Sequence, residues 1–163
     1  MRYLAVGLTL LAAPCLLQAQ GGRVEITGDV PHPVTLGDAA LQSLPRQHVQ
    51  FTDHGRPSAD YEGVPVRLLL QQAGVDLSSP LRGAALARAV VIDASDGYRV
   101  VFAISEFDES IGAKVILLAD RKDGQMLDDH EGPFRILAPS DGRPARSVRE
   151  VTAIRVIEIP APR

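Results

Sequence analysis

Short β-rich runs, each soon cut off by proline, glycine or an Asp-Gly pair, constrain this chain more than any other feature. Val24 to Val30 alternates and stops at Pro31-His32-Pro33, and Val34-Thr35-Leu36 is a short extended piece. Gln47 to Thr52 alternates again, and residues 53–57 read as a loop. Ala89 to Ala94 and Tyr98 to Ala103 flank Asp96-Gly97, a tight-turn pair. Val115 to Ala119 is a strand that Asp123-Gly124 turns toward Gln125-Met126-Leu127. Phe134 to Ala138 is stopped by Pro139, and Val151 to Ile159 closes the series. Helical signals are fewer. Asp38 is placed to cap a short helix to Leu44, closed by Pro45. Pro65 opens a second, with Val66, Leu69, Leu70 and Ala73 at helical spacing and Gly74 as the stop. Ser105 is placed to cap Glu106 to Ser110, with Asp108 near the positive end of the dipole. Residues 75–86 carry no clear signal. Strands outnumber helices and do not alternate with them as βαβ units. The expectation is an α+β fold, a compact mixed-sheet domain with short helices.

The two ends differ in kind. Arg2 gives a positive start, an uncharged apolar stretch runs from Tyr3 to Leu17, and Ala19 is a small residue before Gln20-Gly21-Gly22. That layout reads as an export signal over residues 1–19, too short for a membrane span. Cleavage after Ala19 leaves residues 20–163 as one domain, periplasmic or secreted, with no membrane span. Lipidation at Cys15 is the alternative, with Pro14 directly before it. Cys15 is the only cysteine. Residues 20–163 can therefore form no disulfide and supply no thiolate ligand or nucleophile.

The net charge of −3 argues against generic nucleic-acid binding. Its distribution says more. Acidic residues dominate from Asp93 to Glu131, and the sign then reverses through Arg135, Arg143, Arg146, Arg149 and Arg155. Two readings stand open for Arg135, Arg146 and Arg149: an anion site, or a solvated basic edge paired with Asp141 and Glu150. Asp96-Gly97-Tyr98 is read first as a hairpin turn and second as a polar contact at a ligand pocket. Asp128-Asp129-His130-Glu131 is read as a solvated loop rather than a cation site. No motif anchors His48 or His54 as metal ligands. No nucleophile elbow and no phosphate-cradling Gly-rich loop is present.

Four pieces in order resemble one family. Tyr61-Glu62-Gly63-Val64-Pro65-Val66 with Leu69-Leu70 and Ala73-Gly74-Val75 is similar to the entry of the oxidoreductase molybdopterin-binding domain. Ala94-Ser95-Asp96-Gly97-Tyr98 resembles its Asp-Gly-Tyr hairpin. Leu117-Leu118-Ala119 with Asp123-Gly124 and Leu127 resembles its next strand pair. Gly132-Pro133-Phe134-Arg135, Ala138-Pro139 and Arg146-Ser147-Val148-Arg149 resemble its C-terminal signature. The resemblance covers about residues 61 to 159 and implies the sulfite-oxidase molybdopterin-binding fold. It implies Arg135, Arg146, Arg149 and Asp96 as cofactor-binding residues and molybdopterin as the cofactor. Guanidinium groups suit the pterin's phosphate because they bind its oxygens in a fork. Catalytic members of the family also carry a cysteine that binds molybdenum, and residues 20–163 contain none. The expected function is therefore a non-catalytic or accessory binding module of periplasmic redox systems. Its partners would be an anionic or pterin ligand and a periplasmic redox protein. A minimal molybdopterin-dependent oxidoreductase is the alternative, so enzymatic status stays open. No residue is assigned as catalytic or metal-ligating.

Overall fold

The computed structural model describes residues 21–161, apart from 54 and 113. The expected export signal, Cys15 and His54 lie outside the described residues. The described chain runs β1 (Arg23–Gly28), β2 (Val34–Gly37), α1 (Asp38–Gln42), β3 (Gln47–Phe51), β4 (Ala59–Pro65), α2 (Val66–Gln72), β5 (Arg88–Ala94), β6 (Arg99–Ala103), β7 (Leu117–Lys122), β8 (Gln125–Met126), β9 (Arg135–Leu137) and β10 (Val151–Glu158). Single 3-10 turns occupy Gly83–Leu86, Ile104–Phe107 and Pro144–Arg146. No helix among the described residues is long and apolar enough to cross a membrane.

The strands form two sheets. One has the order β2-β1-β10-β5-β6, and the other β3-β4-β7-β8, with β9 also paired to β7. The β1–β10 pair is parallel and the others are antiparallel, so the expected mixed-sheet α+β class is what the chain forms, mostly as sheet.

Side-chain alternation explains where the core sits. Val24 and Ile26, Val90 and Ile92, Val100 and Phe102, and Ile154 and Val156 point from the first sheet into the main core. Val64, Leu118 and Ile136 meet them from the second sheet, with Leu69, Leu70 and Ala73 of α2. Because successive strand residues face opposite ways, Leu117, Ala119 and Leu137 fall on the other face of the second sheet. There they join Phe51 and Tyr61 in a smaller apolar cluster. Arg135 sits in register with Ala119, so it is sent to this second face as well.

Three local expectations change. The strand β4 carried no strand signal, because Gly63 and Pro65 interrupt it, yet it lies between β3 and β7. A bulge between Glu62 and Gly63 brings the two backbones together. A Cβ on Gly63 would stand 2.1 Å from the Leu118 carbonyl oxygen, so the glycine marks close approach. At α1, Gly37 is the N-cap and Asp38 the first helical residue, with no side-chain cap. The expected Glu106–Ser110 helix is replaced by the 3-10 turn Ile104–Phe107. The cause is Asp108, a buried carboxylate that accepts from Leu81 N at 2.6 Å, Ser110 N at 2.7 Å and Ser110 Oγ at 2.6 Å. These bonds turn the chain away from a helical path.

Candidate functional site

Arg135 is 1 % exposed and lies against two aromatic rings of the smaller cluster, Phe51 and Tyr61. Its guanidinium carbon is 5.4 Å from the Phe51 ring centre and 5.5 Å from that of Tyr61. A buried guanidinium requires compensation, and three groups supply it. Nη2 donates to Asp53 Oδ2 at 2.9 Å, and Nη1 donates to Tyr61 Oη at 3.1 Å. Nη1 is also 3.0 Å from Glu131 Oε2. Tyr61 Oη in turn donates to Glu131 Oε2 at 2.9 Å, and Lys122 Nζ donates to Glu131 Oε1 at 2.9 Å. Of the three Arg135 nitrogens, Nε has no hydrogen-bond partner among the described residues.

The backbone brings Arg149 alongside. Ile136 N donates to Val148 O at 2.7 Å and Val151 N to Phe134 O at 2.9 Å, so the segment before β10 runs beside β9. Ala138 N donates to Ser147 Oγ at 3.1 Å, fixing the same segment further. Arg149 Nη2 then donates to Asp53 Oδ2 at 2.7 Å. One carboxylate oxygen therefore receives two guanidinium groups. Burial alone would raise the Asp53 carboxyl, but the bonds from Arg149 and Arg135 outweigh it and hold the group below its usual range. Burial likewise works against Glu131, and its bonds from Lys122 and Tyr61, with the Arg135 charge, keep it low. Tyr61 moves the other way: burial raises its phenol, and the Arg135 charge only partly opposes this.

Above this floor is a cavity of about 330 Å³ lined by Asp53, Asp96, Tyr98, Arg135, Ser147, Val148 and Arg149. Volumes of this order are at the small end of those that hold small molecules. Asp96 arrives from the β5–β6 hairpin, where its Oδ1 accepts from Tyr98 N at 2.8 Å. Tyr98 Oη donates to Ala145 O at 2.8 Å and ties the hairpin tip to the Pro144–Arg146 turn. Asp96 thus serves the turn and lines the cavity too. Arg149 is the polar wall that faces solvent, with 41 % of its side chain exposed.

The structure thus gathers Arg135, Arg149 and Asp96 at one cavity and leaves Arg146 out of its lining. Arg146 stacks 4.2 Å from the Phe102 ring centre and pairs with Glu106 at 3.0 Å and Asp141 at 2.6 Å. Its partner Asp141 is one that the solvated-edge reading named; Glu106 is not. Burial would raise Glu106, but Arg146, Lys114 and the Ala103 N–H pull it down to about 2. Of the other acidic residue expected to pair along that edge, Glu150, the side chain accepts from Ser95 Oγ. The edge reading does not hold for Arg135, which is buried.

The structure also departs from the sequence-based expectation at Glu131 and brings in Asp53 and Tyr61. Glu131 is a buried partner of Arg135 and Lys122, not part of a solvated loop. The preceding Asp128 caps that turn through His130 N and Glu131 N, both at 3.0 Å. Asp53 and Tyr61, which hold the site together, carried no sequence signal for that role. His48 is exposed, with Nδ1 2.8 Å from Asp60 Oδ2. Among the described residues, no three His, Cys, Asp or Glu side chains gather to hold a metal ion.

No family model matches the sequence, and no curated protein matches it. In fold, the chain is similar to the crystal structure of the sulfane dehydrogenase SoxCD from Paracoccus pantotrophus, with a TM-score of 0.66 and 18% identity. The match covers 85% of this chain and 38% of that one, so this chain spans well under half the length of the protein it is similar to. At that identity the likeness is a distant one of fold.

Proposed function

We propose that this chain is an exported, non-catalytic binding module on the sulfite-oxidase-type fold, accessory to periplasmic redox systems, which takes an anionic ligand against Arg149. The observation that carries this reading is the pairing at Asp53. Both cavity guanidiniums, Arg135 and Arg149, donate to one internal carboxylate, so an oxoanion is already held there by the donors that a ligand would use, and the exposed edge of Arg149 faces outward. The fold likeness to a dehydrogenase supports the architecture, and function has to be argued from the site.

Molybdopterin, the cofactor that the resemblance implies, fits this site at one end only. Its phosphate matches the exposed edge of Arg149. Its molybdenum has no thiolate to meet, because the single cysteine is Cys15, inside the expected export signal. The residues present therefore do not fit a metal-bearing form held through cysteine. A minimal molybdopterin-dependent oxidoreductase is the second reading, and the likeness to a protein named as a dehydrogenase is what favours it.

The test is elemental analysis by mass spectrometry on protein purified from its native host, with pterin detected by fluorescence after oxidation. Protein free of both metal and pterin, from cells that make the cofactor, is the expected result. Stoichiometric molybdenum and pterin would overturn the binding-module reading in favour of the enzyme.

A further inference from the structure

We propose that Asp53 is a built-in competitor for the ligand of the Arg149 cavity, occupying the place of an oxoanion group, a carboxylate or a phosphate. This inference rests on reading that cavity as an anion site, and it adds how the site is controlled.

The geometry is that of a filled anion clamp. Asp53 Oδ2 accepts from Arg135 Nη2 at 2.9 Å and from Arg149 Nη2 at 2.7 Å, and all three side chains line the same cavity. Carboxylate and phosphate oxygens accept from guanidinium forks in the same way. A ligand oxoanion that seeks both arginines must therefore take the position Asp53 holds. Asp53 is tethered to the same chain, which gives it a high effective concentration against any free ligand.

Without Asp53, Arg135 would still have two of its three partners. The other terminal nitrogen of Arg135, Nη1, stays bonded to Tyr61 at 3.1 Å and lies 3.0 Å from Glu131. Arg135 would keep its place while its Nη2 and Arg149 Nη2 became available. The charge balance changes in the same sense. Two carboxylates, Asp53 and Asp96, now face two guanidiniums, Arg135 and Arg149, along the cavity wall. Without the Asp53 charge, the wall carries a net positive charge. Gly55, two residues on, has a φ of +76°, and no atom of the described residues outside its chain neighbours lies within 4 Å of where its Cβ would stand.

The experiment uses inorganic phosphate and acetate as probes, by calorimetric titration at matched ionic strength. Wild type is compared with Asp53→Asn, Arg149→Ala and the double variant. Asp53→Asn should bind phosphate at least about tenfold more tightly than wild type, a difference of about 1.4 kcal/mol, and the double variant should lose that gain. If Asp53→Asn is too unstable to titrate, its thermal midpoint should rise more in phosphate than in chloride, and by more than wild type's does. Equal affinity, or an equal thermal response, in wild type and Asp53→Asn overturns the competitor role. When Arg149→Ala still abolishes that equal binding, the anion site survives and only the competitor fails. When no form binds either probe, both readings fail together.

Discussion

Asp53 and Arg135 stand 82 residues apart in the chain and meet through a 2.9 Å hydrogen bond, both nearly closed off from solvent. The pair joins the β3–β4 connection to β9 and forms the floor of the candidate site. It gives Arg135 a structural duty that precedes any ligand, since breaking a buried ion pair leaves an uncompensated charge.

Arg135→Ala is therefore expected to destabilise the fold by about 3–5 kcal/mol, because Asp53 and Glu131 would both lose a buried partner. Denaturant unfolding followed by circular dichroism measures this. A loss below about 1 kcal/mol, as for an exposed ion pair, would show that the cluster does not hold the fold.

Arg149→Ala should behave differently. Its side chain is 41 % exposed and Asp53 keeps its bond to Arg135, so the cost in stability should be about 1 kcal/mol. Binding of an anionic probe should fall at the same time. Comparing the two arginine variants in one unfolding and titration series separates the structural cation from the ligand-facing one.

Acid should weaken the fold in a defined window. Asp53, Glu131 and Glu106 all have carboxyls held below their usual range in the folded chain. The unfolded chain then binds more protons than the folded one, so stability is present above the ordinary carboxyl range and lost as pH falls through the folded values. For Glu106 the window runs from 4.5 down to about 2. Stability measured across that range should decline, and Glu106→Gln should flatten part of the slope. An unchanged slope in the variant would count against the Arg146–Glu106 pair as a stabilising contact.

Gly63→Ala should be poorly tolerated although the change is one methyl group. The new Cβ would lie 2.1 Å from Leu118 O and 2.5 Å from Ala119 Cα, both backbone atoms of β7. Either the bulge or the β4–β7 register must yield, with a loss of about 3 kcal/mol or more. Gly63 is not at positive φ, so thermal unfolding of this variant beside Gly142→Ala, whose added Cβ would have open space at an ordinary φ, isolates the backbone collision.

Local pattern alone was enough for much of the architecture. Alternation in β1 and β3, the strand runs at β6 and β10, the Asp96-Gly97 and Asp123-Gly124 turns, and the α2 periodicity ending at Gly74 are all short-range signals, and each marks an element the chain forms. The strand β4 was hidden because its glycine and proline answer to a neighbouring strand, which no local window contains. The Glu106–Ser110 helix was overestimated because Asp108 spends its carboxylate on Leu81, far back in the chain.

The candidate site divides in the same way. Residue chemistry and order in the sequence single out Arg135, Arg146, Arg149 and Asp96, and composition removes thiolate chemistry from residues 20–163. Tertiary structure decided that Arg135 is buried, that Arg146 belongs to another cluster, and that Asp53, Tyr61 and Glu131 complete the floor. The physical reason is that a guanidinium's role depends on its solvent and its partners. Strand alternation turns Arg135 to the second face of its sheet, and only the packed fold brings carboxylates from distant segments to meet it there.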